Sequence, residues 1–219
     1  MNTISIAIHG GAGTLVKGMM TPEKEKAYQK ALQKALDIGY QVLEKGGNAV
    51  DAVEKSVKAL EDSHLFNAGK GSVFTATETH EMDASIMDGK NLEAGAVSLI
   101  TGIKNPVSLA KDVMEKSEHV FLAGEGAMQF AKANKYSLEE SDYFYDELRH
   151  QQWLAIKDTD NFQLDHSVKK DSKFGTVGAV ACDANGNIAA ATSTGGMTNK
   201  KFGRVGDSPM IGAGNYANN

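Results

Sequence analysis

The stretch that decides the fold is Gly175-Thr176-Val177-Gly178-Ala179-Val180-Ala181-Cys182. From Thr176 onward it predicts a buried strand, and the turn signal at residues 183–186 leads into a second strand over residues 187–192. The preceding residues, 157–173, are polar and almost without apolar periodicity, which is typical of an exposed loop or a disordered linker. A Gly-Thr pair therefore stands where a polar linker enters a buried strand.

This Gly-Thr pair can form a catalytic group if the peptide bond between Gly175 and Thr176 is cut. A threonine hydroxyl is a weak nucleophile at neutral pH and needs an adjacent base. Cleavage would give Thr176 a free α-amino group with a pKa of roughly 7.7–8.0, which can accept the hydroxyl proton near neutral pH. Gly175 tolerates a strained backbone, which would let the Thr176 hydroxyl reach the preceding carbonyl. On these two residues alone, an ordinary strand residue after a turn glycine stays the commoner alternative.

The rest of the chain alternates between strands and helices. Residues 4–8 predict a strand that ends in His9-Gly10-Gly11-Ala12-Gly13, and Thr21-Pro22 and Asn48 are helix-start signals. Further strands are predicted at 84–87 and 94–100, with helical patterns after Pro106 and near 126–133 and 143–156. This order predicts an α/β layered architecture in one domain, with sheets covered by helices.

Composition excludes some classes of function. The net charge of −5 argues against a nucleic-acid partner, and no apolar run is long enough to span a membrane. Cys182 is the one cysteine, and the first residues lack the pattern of a secretory signal. A cytoplasmic location is therefore the expectation.

Three common catalytic motifs are missing. No phosphate-binding Gly-x-x-x-x-Gly-Lys-Ser/Thr occurs, and His80-Glu81 has no second histidine to form a zincin motif. The glycine-rich loop at residues 9–13 is similar to the oxyanion loop of lipases, but residues 206–210, GDSPM, do not form the Gly-x-Ser-x-Gly elbow that an α/β-hydrolase also needs.

Five blocks, in order along the chain, resemble the plant-type asparaginase and isoaspartyl aminopeptidase family. They are IHGGAG at 8–13, LFNAG at 65–69, EMDASIMDG at 81–89, GTVGAV at 175–180, and ATSTGGMTNK with GRVGDSP at 191–200 and 203–209. The resemblance implies an N-terminal-nucleophile hydrolase with a four-layer αββα sandwich. Residues 1–219 would form one domain of a precursor that is cut between Gly175 and Thr176. Residues 1–175 would be the α subunit, with 157–173 as its flexible linker, and 176–219 the start of the β subunit.

The resemblance also implies a role for each site residue. Thr176 would be the nucleophile, Thr194 would hydrogen-bond to it, and Asn67 would lie beside the site. Arg204 would bind the substrate α-carboxylate, which its planar fork suits, and Asp207 would bind the α-ammonium group. A structural ion pair between Arg204 and Asp207 stays open as the alternative.

Two further elements follow from the same resemblance. Gly10 and Gly11 would help to set the backbone for self-cleavage together with Gly175 and Thr176. A structural sodium ion would be surrounded by backbone carbonyls, those of Leu60, Glu61, Ser63, Phe66, Ala68 and Lys70. No organic cofactor is expected.

The implied reaction is hydrolysis of a side-chain amide, with L-asparagine or isoaspartyl dipeptides as substrates and a dimer of αβ units as the full-length assembly. Family members continue past Asn219 with further strands and a Gly-Thr-Gly turn, so we expect a fragment or a truncated relative of reduced activity. Two alternatives stay open: a truncated non-catalytic homologue, and a glycosylasparaginase, which acts on glycosylated asparagine and is normally exported.

Overall fold

The computed structural model describes residues 3–11, 21–159 and 175–219. The first half contains β1 (Ser5–His9), α1 (Pro22–Glu44), α2 (Ala49–Glu61), a 3₁₀ turn (Gly69–Gly71), β2 (Met82–Asp88) and β3 (Ala94–Ile100). The second half contains α3 (Pro106–Lys116), β4 (Phe121–Ala123), α4 (Gly124–Ala133), α5 (Ser141–Phe144), α6 (Glu147–Leu154), β5 (Val177–Cys182) and β6 (Ile188–Thr194).

The first two helices begin where the sequence predicts, because their caps are local. The Thr21 hydroxyl accepts a hydrogen bond from Lys24 N at 3.3 Å, and Pro22 occupies the first turn of α1. The Asn48 side chain accepts one from Asp51 N at 2.7 Å at the start of α2. Within the described ranges, no helix is both long enough and apolar enough to cross a membrane.

The six strands form one mixed sheet in the order β1-β5-β6-β2-β3-β4. All neighbours are antiparallel except β3 and β4, which are parallel. The predicted strand of the 175–182 stretch is confirmed, although it begins at Val177 rather than Thr176. The predicted helix over 143–156 is wrong as a single element, because the chain is extended at Tyr145 and Asp146 and splits it into α5 and α6.

The two faces of the sheet differ in chemistry. The inner face is apolar except for the buried Ser193. Its apolar side chains pack with those of α1 to α4 in one core; they include Val177, Ala179, Ala181, Ala189, Ala191, Met82, Ala84 and Ile86. The outer face carries small and polar side chains on the same strands, among them Thr192, Ser85 and Asp83, and Val180 is 50% exposed there. This alternation follows from the two-residue period of a strand and puts hydroxyl and carboxyl groups on the outer face.

The α/β class predicted from the sequence is confirmed. The described residues form a single sheet, so a second sheet of a four-layer sandwich belongs to the proposal below.

Candidate active site

Strand pairing brings Thr176 close to Thr194. In the ladder of β5 and β6, Val177 lies opposite Ser193, so extending that register by one residue sets Thr176 opposite Thr194. Asp83 lies opposite Thr194 on the other side, in the ladder of β6 and β2. Three polar residues from distant parts of the chain therefore form a row at one end of the outer face.

The hydroxyl of Thr176 contacts a serine that the sequence analysis did not single out. Thr176 Oγ1 lies 3.0 Å from Ser208 Oγ, and Ser208 is 3% exposed. The Ser208 carbonyl accepts hydrogen bonds from Ser85 Oγ at 2.7 Å and from Thr192 Oγ1 at 2.6 Å. Ser208 is thus held in place by the outer face of β2 and β6. The sequence feature that could have identified Ser208 as a site residue is its position next to Asp207 in the GRVGDSP block.

Thr194 begins a tight turn that Asn67 holds. Thr194 Oγ1 accepts a hydrogen bond from Gly196 N at 3.0 Å. Asn67 Nδ2 donates to the Gly196 carbonyl at 2.7 Å, and the Asn67 carbonyl accepts from Gly195 N at 3.0 Å. The structure therefore places Asn67 behind the turn, where it fixes the position of Thr194.

The expected hydrogen bond from Thr194 to Thr176 is not present among the described residues, since the Thr176 hydroxyl contacts Ser208 instead. Thr194 nevertheless borders the same small space as Thr176. That space has a volume of about 10 Å³ and is lined by Gly175, Thr176, Thr194, Gly196, Met197, Arg204, Gly206, Asp207 and Ser208. A larger open groove of about 550 Å³ adjoins it over the outer face and also reaches Thr176, Asp207 and Ser208.

The glycine-rich loop lies against the bond that is predicted to be cut. Gly11 has a φ of 108°, and a Cβ atom there would lie 3.3 Å from Gly175 Cα and 3.4 Å from its carbonyl carbon. A Cβ atom on Gly10 would lie 2.8 Å from Leu32 and 3.1 Å from Phe66. Neither position has room for a side chain. Because both residues are glycines, the loop can approach the backbone of Gly175 closely. Ala12, Gly13 and most of the predicted linker lie outside the described residues.

Arg204 and Asp207 border the space with Thr176 but do not pair with each other. Arg204 is partly buried, Asp207 is exposed, and the described parts of the chain contain no ion pair between them. The structural ion pair considered above is therefore not what the structure shows. A cation and an anion three residues apart remain available to a ligand that carries both charges.

The loop predicted to hold sodium is a compact turn after α2. The carbonyls of Ser63, Phe66 and Ala68 each accept one backbone hydrogen bond, at 2.9–3.5 Å, and that of Leu60 accepts from Ser63 N at 3.1 Å and from Asp62 N. Gly69 has a φ of 52°, and a Cβ atom there would lie 2.5 Å from the Glu61 carbonyl. A carbonyl oxygen has a second lone pair, and such oxygens suit a hard cation, so the donor chemistry of the loop fits a sodium ion. In the described ranges no cluster of three or more His, Cys, Asp or Glu side chains offers a metal site.

A buried histidine, His80, supports the turn that begins at Thr194. His80 is 7% exposed, its Nδ1 lies 3.0 Å from the Ser72 carbonyl, and its ring lies 4.3 Å from that of Phe74. Ser72 in turn packs against Gly195, where a Cβ atom would lie 2.8 Å from Ser72 Cα. Burial lowers the pKa of His80 below its ordinary 6.5, although the hydrogen bond to Ser72 acts in the opposite direction.

This lowered pKa predicts that His80 contributes a loss of stability in acid. Below about pH 6.5 the unfolded chain binds a proton at His80 that the folded protein does not, so the contribution of His80 to the free energy of unfolding falls by up to about 1.4 kcal/mol for each unit by which the pH drops. The carboxyl group of Glu61, whose pKa burial raises to about 8, contributes in the opposite direction. We expect His80→Asn, which keeps a donor for the Ser72 carbonyl, to remove the His80 contribution, so that its free energy of unfolding falls less between pH 7 and pH 5 than that of the wild type. Urea unfolding at pH 7, 6 and 5 measures it. His119→Asn, at an exposed histidine, is the control and should keep the wild-type slope; equal slopes in all three proteins would contradict the expectation.

Comparison with known proteins identifies the family of this chain. Isoaspartyl peptidase of Escherichia coli (strain K12) is 50% identical over 222 residues, which cover 100% of this chain and 69% of that protein. Isoaspartyl peptidase/L-asparaginase of Homo sapiens is 48% identical, with 100% of this chain and 68% of that protein covered. Plant-type L-asparaginase of Pyrococcus horikoshii is 45% identical, with 98% and 70% covered. The sequence profile of the asparaginase family matches residues 2–219. The resemblance seen in the five sequence blocks is therefore confirmed, and the chain belongs to the asparaginase family.

Proposed function

We propose that this protein is a threonine-nucleophile amidohydrolase that cuts its own chain between Gly175 and Thr176 and then hydrolyses L-asparagine or isoaspartyl dipeptides. One observation carries the proposal: Thr176 shares a single small space with Arg204 and Asp207, which do not neutralise each other. The names of the relatives, isoaspartyl peptidase and L-asparaginase, support the same reaction.

Self-cleavage comes first in this proposal. Thr176 Oγ1 attacks the Gly175 carbonyl carbon, and the acyl group moves from the Thr176 nitrogen to Oγ1, which frees the Thr176 amino group. Water then hydrolyses the ester, which releases the Gly175 carboxylate and restores the Thr176 hydroxyl. Gly11 lies against Gly175 and allows the close backbone approach that this attack needs. Ser208, at 3.0 Å from Oγ1, orients the hydroxyl and provides a partner for its proton.

We infer that the cut precedes substrate binding, because Arg204 borders the small space and not the larger groove. A volume of about 10 Å³ holds no more than one water molecule, whereas an amino acid needs far more room. Gly175 is one of the residues that line the space. Release of the segment that ends at Gly175 would enlarge it beside Thr176.

In the cut protein the Thr176 amino group is the base for its own hydroxyl. Oγ1 attacks the side-chain carbonyl of the substrate, an acyl-enzyme forms, and ammonia or an amino acid leaves. Water then releases aspartate and restores the hydroxyl. Arg204 binds the α-carboxylate and Asp207 the α-ammonium group, so both ends of the zwitterion orient the carbonyl towards Thr176.

The wider assembly is part of the same proposal. A second sheet would cover the outer face and complete a four-layer sandwich, and two αβ units would form a dimer in the cytoplasm. The carbonyls of the loop after α2 would hold a structural sodium ion that fixes the loop leading to Asn67.

The test is to follow cleavage and hydrolysis in the same sample. The protein is incubated, its intact mass is measured, and ammonia and aspartate are then assayed with L-asparagine, an isoaspartyl dipeptide and a glycosylated asparagine. We expect two fragments that separate before Thr176, and aspartate release from one or both of the first two substrates. Hydrolysis of the glycosylated substrate alone would favour a glycosylasparaginase. A cut, folded protein without activity on all three would overturn the proposal.

A further inference from the structure

Two hydroxyl groups on the sheet hold the residue that contacts Thr176. Ser85 on β2 and Thr192 on β6 lie directly opposite each other in the ladder of these two strands. Ser85 Oγ donates to the Ser208 carbonyl at 2.7 Å, and Thr192 Oγ1 donates to the same carbonyl at 2.6 Å. A carbonyl oxygen can accept both bonds, because it has two lone pairs. We call this pair of hydroxyl groups the Ser85–Thr192 clamp.

The clamp is one connected network. Ser85 Oγ also lies 2.8 Å from Thr192 Oγ1, so three close oxygen–oxygen contacts share two hydroxyl protons. In every arrangement that keeps both protons within this group, at least one of them goes to the Ser208 carbonyl. Asn215, which is 5% exposed, donates from Nδ2 to Ser85 Oγ at 3.1 Å. That bond occupies a lone pair of Ser85 and leaves its proton to the clamp.

The backbone of Ser208 transmits this restraint to its side chain. Pro209 follows Ser208 and restricts the Ser208 backbone to extended conformations. Met210 N donates to the Asp207 carbonyl at 2.8 Å and closes a turn around Ser208 and Pro209. With the backbone so restricted, fixing the Ser208 carbonyl also fixes the direction of its side chain. Thr176 Oγ1, at 3.0 Å, is the one hydrogen-bond partner of the Ser208 hydroxyl within the described ranges.

We propose that Ser85 and Thr192 are positioning residues for self-cleavage, because they fix the Ser208 carbonyl and thereby hold the Ser208 hydroxyl against Thr176 Oγ1. In the part of the chain that the structure describes, their hydroxyls bond to each other, to Ser208 and to Asn215, and not to Thr176. Both residues therefore act through Ser208. The inference rests on the proposed function, since it takes Thr176 as the nucleophile.

Substitutions at Thr192 separate the hydroxyl from the shape of the side chain. Thr192→Val keeps the shape and removes the hydroxyl, and we expect self-cleavage to slow about tenfold, because a misplacement of about 1 Å can cost up to a hundredfold in rate. Ser85→Ala removes the other hydroxyl and should slow cleavage by a similar factor. Thr192→Ser keeps the hydroxyl and should be cut at close to the wild-type rate.

A Ser208→Ala background distinguishes positioning from a general loss of structure. This variant lacks the hydroxyl that the clamp positions, and it should itself be cut more slowly than the wild type. Thr192→Val added to Ser208→Ala should slow cleavage no further, because the two residues act on Thr176 through the same contact. A substitution that only loosened the fold would slow cleavage by the same factor in both backgrounds. Tm should fall in both, since the bond to the Ser208 carbonyl is lost in each.

Ser56→Ala is the matched control for Ser85→Ala. Ser56 is fully buried, and its Oγ donates to the Ala35 carbonyl at 2.9 Å between α1 and α2. Both substitutions thus remove a buried serine hydroxyl that donates to a backbone carbonyl. Ser56→Ala should lower Tm and leave the rate of cleavage unchanged.

Cleavage is followed by intact mass in cell-free translation reactions that are sampled from minutes to days. Tm is measured with each substitution combined with Thr176→Ala, so that only uncut proteins are compared. Slower cleavage in Thr192→Val and Ser85→Ala, with recovery in Thr192→Ser and no added effect in the Ser208→Ala background, supports the inference.

Four results overturn the inference: a wild-type rate in Thr192→Val or Ser85→Ala, a Thr192→Ser protein as slow as Thr192→Val, equal slowing in both backgrounds, or a Ser56→Ala protein as slow as Ser85→Ala. If Thr192→Val does not fold, Ser85→Ala with and without Ser208→Ala decides by the same criteria. A wild type that stays uncut overturns the proposed function and this inference with it, whereas any of the four results in a series whose wild type is cut overturns the inference alone.

Discussion

Replacing Thr176 by alanine is expected to leave the chain uncut and to abolish hydrolysis of L-asparagine. The variant lacks the Oγ1 atom that attacks the Gly175 carbonyl, and it also lacks the nucleophile for turnover. Loss of the nucleophile in a covalent hydrolase lowers kcat by about 10⁴-fold or more. The fold should survive, because Thr176 is only partly buried and Ser208 is the one hydrogen-bond partner of its hydroxyl among the described residues. Intact-mass measurement over several days and an ammonia assay give the two readouts.

Two matched variants sharpen this experiment. Thr176→Ser keeps a hydroxyl at the same place and should still be cut, although more slowly. Thr101→Ala removes an exposed threonine hydroxyl away from the site and should behave like the wild type. If Thr176→Ala is cut at the wild-type rate, or still releases ammonia from L-asparagine, Thr176 is not the nucleophile.

Replacing Arg204 by alanine should raise KM for L-asparagine between about tenfold and about a hundredfold. A hydrogen bond to a charged group contributes about 1.5–3 kcal/mol, and each 1.4 kcal/mol corresponds to a factor of ten. Arg204→Lys should recover part of the loss, because an ammonium group cannot make the same two parallel hydrogen bonds. The measurement is a substrate titration of the cut protein.

Measuring self-cleavage in the two Arg204 variants shows whether the substitution affects substrate binding alone or also the chemistry of Thr176. The cut depends on Thr176 and Gly175 within the chain and needs no ligand carboxylate, so both variants should still be cut. Lys90→Ala, at an exposed lysine, controls for a change in net charge. An unchanged KM in Arg204→Ala would show that the guanidinium is remote from the substrate.

The outcome at Arg204 and Asp207 shows where inference from sequence stopped. Their spacing of three residues fits an ion pair as well as it fits the two ends of a zwitterion, and the sequence alone left both open. In the structure Arg204 is partly buried, Asp207 is exposed, and no ion pair joins them. The distance between the two charged groups depends on the path of residues 203–208 over the outer face. Residues that are adjacent in sequence do not determine that path.

Some features of this protein are local and could be predicted from the sequence. The caps at Thr21 and Asn48 form within one helical turn, and the apolar run after Thr176 forms a strand because its side chains are small or β-branched. The family could be predicted too, since its long blocks are contiguous in sequence. The helix predicted over 143–156 was wrong, because helical periodicity says little about where the chain turns.

Other features depend on pairing between strands that are far apart in sequence. The row of Thr176, Thr194 and Asp83 exists because β5, β6 and β2 are neighbours in one register, and a shift of one residue would turn these side chains to the other face. The contact of Thr176 with Ser208 and the burial of Lys200 arise in the same way. The sequence by itself determined to which family the chain belongs and predicted Thr176 as the nucleophile. The tertiary structure decided which partners surround Thr176, because hydrogen bonds and buried charges depend on distances that only the folded sheet sets.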